Sequence, residues 1–165
     1  MGSEFVGWTE HGAARRIAEA VMERREQFVE ELAAVTRAEI PEIARTEDDR
    51  SAMLASITEN TSVLMTALMD GVDPSTVEPP AGAIGYARKL ARHGTSLAQL
   101  LRAYRIGQAR FVSMCLDAAD DFAVGANRAA LRAAVDKTAV YIDHICERVT
   151  VAYEDERERW ITSRN

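Results

Sequence analysis

The chain has 165 residues, 47% of them hydrophobic and 28% charged, with a formal net charge of −6 at pH 7. That length suits one domain, which buries roughly 70% of its unfolded surface and needs no cross-links to stay folded. The acidic balance argues against a nucleic-acid-binding surface, which requires clustered Lys and Arg, and Cys115 and Cys146 are too few and too widely spaced for a disulfide framework or a zinc site.

No apolar run approaches the ~20 residues that cross a bilayer. The start lacks the basic-then-apolar pattern of a secretory signal. A cytoplasmic protein with both cysteines reduced is therefore expected. Gly2-Ser3-Glu4-Phe5 is what two common cloning sites encode, so residues 1–5 are set aside as a scar and the chain is expected to be an excerpt of something longer.

Residues 9–40 read as a helix, with Ile17, Val21, Phe28, Leu32 and Val35 on one stripe. Arg24 and Arg25 interrupt the stripe and make a break possible there. Pro41 ends or kinks the helix, because proline lacks an N–H and disfavours helix in the residue before it. The next helix starts at Thr46, a capping residue followed by Glu47, Asp48 and Asp49 at the positive end of the helix dipole. Met53, Leu54, Ile57, Thr61, Leu64 and Leu68 form its stripe, Asn60 sits on the edge, and Gly71 stops it.

Residues 72–79 are the longest loop, punctuated by Asp73-Pro74 and Pro79-Pro80. A short helix follows over about residues 80–93, with Pro80 at its first position. Its Gly82, Ala83, Gly85 and Ala87 allow a neighbouring backbone to approach closely. Gly94 ends it, and Ser96 with Gln99 opens the central helix as a capping box. Leu97, Leu100, Leu101, Tyr104, Gln108, Phe111, Val112, Cys115, Ala119 and Phe122 share one face of that helix. The face is apolar except at Tyr104 and Gln108.

After Val124-Gly125-Ala126 the last helix runs from about Arg128 to at least Trp160. Its expected apolar face is Leu131, Val135, Ala139, Ile142, Ile145, Cys146, Val149, Ala152 and Tyr153. At ~1.5 Å per residue it is roughly 50 Å long, whereas a compact domain of this size is only about 30–35 Å across. Its end should project or pair with another chain. The tail from Glu154 to Asn165 alternates charge like a solvated helix.

The run YARKLARHGTSLAQLLRAYRIGQ, residues 86–108, resembles the N-terminal sensory domain of actinobacterial PucR-type transcription regulators. That domain type is related to the N-terminal region of the RsbR stressosome proteins. Glu39-Ile-Pro-Glu42, Glu59-Asn60, Glu156-Arg-Glu-Arg-Trp160 and Ser163-Arg-Asn165 fit the same resemblance. It implies an input and dimerisation module over residues 6–153, with residues 154–165 starting a linker or signalling helix to an effector part. It carries over no catalytic residue. A stressosome-like interaction scaffold without a ligand is the alternative, and a ligand-free structural dimeriser is a third.

The sharper chemical readings are weak. A haem ligand should point into an apolar pocket, and neither His93, beside a helix stop, nor His144, off the apolar stripe, does so; His11 is placed on the surface. Asp117, Asp120 and Asp121 are read as a solvated helix end rather than a metal site. No Ser or Cys is paired with a His as a nucleophile would be. Neither a cofactor nor a reaction is therefore expected. Asn60, Tyr104 and Gln108 are the interesting polar residues, because an unsatisfied buried polar group costs about 1–3 kcal/mol. They are read as a hydrogen-bonded network, with Gln108 bonded to Asn60, Tyr104 or the backbone, or else as anchors of a small-molecule pocket that Arg105 could extend toward an anion. Ile142, Val149, Tyr153 and Trp160 are the candidates for a dimer or signalling surface. The expected fold is all-α, about five helices in a bundle with long first and last members, with a globin-like arrangement as runner-up.

Overall fold

The computed structural model describes residues 14–120 and 127–164. Every regular element among them is helical. Six α-helices occur among the described residues: α1 (14–23), α2 (Arg25–Glu39), α3 (Glu47–Asp70), α4 (Ala81–Arg92), α5 (Leu97–Asp120) and α6 (Asn127–Arg164). Two short 3-10 turns, Pro41–Ala44 and Pro74–Thr76, fill the longer connections.

The count exceeds the expected five because the first helix divides at Arg24. The Arg24 N–H closes a tight turn on the Val21 carbonyl at 3.1 Å, and its own carbonyl then accepts from Phe28 at 2.9 Å to begin α2. The Arg25 guanidinium meanwhile donates to Ser62 Oγ on α3 at 3.3 Å. Ile17, Val21, Phe28 and Leu32 are buried as expected. Thr36 is buried where Val35 was expected, and Val35 is only half-buried.

The other boundaries follow their punctuation. Thr46 Oγ1 accepts from the Asp49 N–H at 3.0 Å, and Ser96 Oγ accepts from the Gln99 N–H at 3.3 Å. Gly71 and Gly94 take left-handed conformations, φ 67° and 76°, which glycine adopts without a Cβ clash. Pro80 stands just before α4 rather than inside it.

Helix α4 packs chiefly on α6 and α3, and α5 packs chiefly on α6. Gly82 permits the contact with α3. A Cβ there would lie 1.7 Å from Glu59 Oε2 of α3, so the carboxylate occupies the space a side chain would need. Gly85 has nothing near it and serves no such approach.

Buried tyrosine hydroxyls lock turns to helices. Tyr86 donates to the Ile43 carbonyl, and Tyr153 donates to the Thr95 carbonyl. Thr95 Oγ1 in turn donates to the Glu42 carbonyl at 3.2 Å. These bonds satisfy carbonyls in the two irregular turns, where helical partners are lacking.

The 38 residues of α6 give it a length of roughly 57 Å at ~1.5 Å per residue. Its buried face is Ala130, Ala134, Thr138, Tyr141, Ile145, Val149, Ala152 and Tyr153. Over its first half this face is rotated by one residue from the expected one, so Leu131, Val135 and Ile142 lie only half-buried and Ala139 is exposed. Val149 and Tyr153, expected on a dimer surface, are instead 0% and 3% exposed in the core of their own chain. Arg92 of α4 still reaches Glu156 at 3.0 Å. Past that ion pair α6 leaves the domain, and Trp160 and Ile161 are exposed.

The division of α6 sets a first prediction. Ile145→Ala, at a wholly buried site, should cost about 2–5 kcal/mol in a urea titration. Trp160→Ala, measured at the lowest usable concentration, should stay within about 0.5 kcal/mol of the parent.

Candidate functional site

Asn60 lies one helical turn beyond Ser56 on α3, level with Tyr104 of α5 and Tyr141 of α6. Its amide nitrogen donates to Ser56 Oγ and to the Tyr104 hydroxyl, each at 3.3 Å. Its carbonyl oxygen accepts from the Tyr141 hydroxyl at 2.6 Å. A carboxamide has two donors and one acceptor oxygen, so it can serve three neighbours at once. One side chain thereby joins α3, α5 and α6.

Burial holds these phenols neutral. The Tyr104 hydroxyl is pushed up to about 12 by burial, against a smaller opposing effect of its contacts with Asn60 and Ser56. Tyr141 and Tyr86 are raised further, again chiefly by burial. The thiols follow suit: burial raises Cys115 to about 12 and Cys146 to about 11, which makes them poor nucleophiles at neutral pH.

Beside the network is a cavity of about 80 Å³. Its walls come from α2, α3, α4, α5 and α6, and include Phe28, Leu32, Asn60, Tyr104, Gly107 and Gln108. Phe28 and Phe111 meet edge-to-face at its α2–α5 wall, with ring centroids 5.9 Å apart. None of the residues lining it carries a charge.

Of the expected site residues, Asn60 and Tyr104 do meet. Gln108 lines the same cavity but makes no hydrogen bond to Asn60, Tyr104 or any other described residue, contrary to the expectation. The place assigned to it is taken by Tyr141. Arg105 is exposed, outside the cavity, and its charge acts on Cys146. Ile142, half-buried, also lines the cavity.

Tyr141 and Thr138 are hidden in the sequence by the bulkier Leu131, Val135 and Ile142, which mark a stripe one residue away. The signal was present in the smaller residues: Ala130, Ala134, Thr138, Tyr141 and Ile145 recur at steps of four and three.

The two described histidines bind neighbours rather than an open site. His93 Nδ1 is 2.8 Å from Asp49 Oδ1, and His144 Nε2 is 2.8 Å from the Val77 carbonyl. His11, Asp121 and Phe122, like the scar at 1–5, lie outside the described residues. Among the described residues no group of three His, Cys, Asp or Glu could hold a metal ion, and no helix is long and apolar enough to cross a membrane. Glu59 Oε2, under Gly82, is buried without a hydrogen-bond partner.

Residues 26–165 match the family described as the RsbT co-antagonist protein rsbRD N-terminal domain. No curated protein and no solved structure matches the chain.

Two measurements test the network. Asn60→Ala should cost about 1–3 kcal/mol or more, because it strands Tyr141 and Tyr104, whereas Gln108→Ala should stay near 0.5 kcal/mol. Alkaline pH should unfold the domain from about pH 10 upward. There the unfolded chain releases phenolic protons that the native state retains at Tyr104 up to about 12, so the native state binds more protons and loses stability as pH rises. Phenolate absorbance should therefore rise together with the loss of helical circular dichroism, not before it.

Proposed function

The chain belongs to the family of RsbT co-antagonist rsbRD N-terminal domains, and from that premise we propose that it is a cytoplasmic, non-catalytic regulatory domain of the stressosome kind that works as a homodimer. The family match over residues 26–165 carries the reading. The family's name describes proteins that act against another protein alongside a second antagonist. A domain with such a task changes the availability of a partner and needs contact surfaces rather than a reaction centre. We take its helices as a bundle with α6 as the element that transmits a change.

The form of α6 supports this. Its first two-thirds is core, fixed by Tyr141, Ile145, Val149 and Tyr153. Its last turns carry Trp160, 37% exposed, and Ile161, 52% exposed, with no described helix of the same chain over them. A projecting helix is marginal in water, since helices in proteins are held mainly by packing an apolar face. A second copy supplies that packing with the same patch used twice. Any rotation of α6 within the core would then be felt at the paired ends.

The narrower reading, a signal-input domain of a transcription regulator, is favoured by residues 86–108, whose sequence resembles the PucR-type sensory domain. In both readings the work is done by assembly, without a cofactor, a membrane or direct contact with nucleic acid.

Sedimentation equilibrium at micromolar concentration tests the dimer. We expect about twice the 18.2 kDa chain mass. Ile161→Asp should raise the dissociation constant by about tenfold or more, the factor that 1.4 kcal/mol produces, without lowering the unfolding midpoint of the monomer. A single species at the chain mass would reject the homodimer.

A further inference from the structure

The cavity beside Asn60 has three properties that together specify an occupant. The first is an unused polar group. Asn60 is fully engaged, and the Thr61 and Thr138 hydroxyls donate to carbonyls of their own helices. The Gln108 amide, half-buried on the cavity wall, meets no hydrogen-bond partner among the described residues. It offers a donor and an acceptor together.

The second is a glycine that sterics do not require. Gly107 lies inside α5, where glycine weakens a helix relative to alanine. A Cβ built there would meet only Leu32 Cδ2, at 3.6 Å, an ordinary contact. Alanine fits, so what glycine preserves is the space itself. The third is the size and charge of that space. A volume of about 80 Å³ exceeds the ~10–15 Å³ that one water needs and falls short of the ~150 Å³ of a cavity that takes up benzene. No charged side chain lines it, so an ion would be left without a counter-charge.

We propose that this cavity binds a small uncharged amphipathic molecule of a few non-hydrogen atoms. Its polar end is held by the Gln108 amide, and its apolar end lies against Phe28 and Leu32 in the space beside Gly107. The site depends only on the monomer core, so it stands or falls independently of the homodimer.

Propionamide is a suitable probe, and propionate, of nearly the same shape but charged, is its control. In an amide-resolved nuclear magnetic resonance titration of the whole chain, propionamide should give saturable shifts at Gly107, Gln108 and the Asn60 side chain. A dissociation constant of about millimolar is expected for so small a molecule. Propionate should give none. Gly107→Ala should weaken binding about tenfold or more while raising the melting temperature by about 2–4 °C, because the methyl fills the space and favours the helix. Gln108→Met, which keeps the bulk and removes the amide, should weaken it comparably. Linear, non-saturating shifts, equal binding of propionate, or undiminished binding by Gly107→Ala would each overturn the proposal.

Discussion

The carboxamide of Asn60 is the constraint on which the remaining structure depends. It lies among three helices that share an apolar core, and each of its polar atoms is engaged there. An amide in such surroundings is tolerable only when satisfied, because the environment that strengthens its hydrogen bonds also raises the cost of a missing one. The consequence is geometric. A one-residue rotation of α6 would carry Tyr141 about 100° around the helix, away from Asn60, as follows from 3.6 residues per turn. Apolar contacts alone tolerate such slips better, since half-buried Leu131, Val135 and Ile142 lie on the neighbouring stripe. The network therefore selects one register of α6 from several of similar hydrophobic quality.

Much of this was legible in the residues. Helix ends at Thr46, Gly71, Gly94 and Ser96 followed from capping chemistry, which is local and depends on a few side chains. The possible break at Arg24 was visible as an interruption in the stripe. The pairing of Asn60 with Tyr104 could be anticipated because two polar residues on otherwise apolar faces need partners. The third member of the network could not be anticipated in this way. Tyr141 is 81 residues from Asn60, and its face is marked by alanines and a threonine that weigh little beside the aliphatic stripe next to it. Val149 and Tyr153 keep the expected phase and are buried, which leaves the candidate contact surface of α6 to the residues beyond them. The position of Gln108 on an apolar face predicts a bond, yet it borders a cavity, where a neighbour is missing.

The two features proposed to be functional lie along one helix. The cavity and the Asn60 network hold the first half of α6, and the exposed Trp160 and Ile161 lie past the Arg92–Glu156 ion pair at its far end. A continuous helix is stiff over this distance, so a change of packing near Tyr141 reaches Trp160 without an intervening hinge. A regulatory domain of the rsbRD type needs such a connection between a core and a contact surface. In the proposed reading a single helix would provide it, with α3, α4 and α5 as the frame against which it is registered.

Hydrogen exchange along α6, followed as a function of protein concentration, tests the dual character of this helix most directly. The account predicts that amides from Ala134 to Tyr153 exchange only through global unfolding. Amides from Arg157 to Arg164 should exchange rapidly in dilute solution and gain protection as concentration rises. Protection of that last segment that is independent of concentration, or rapid exchange at Tyr141 and Ile145, would contradict it.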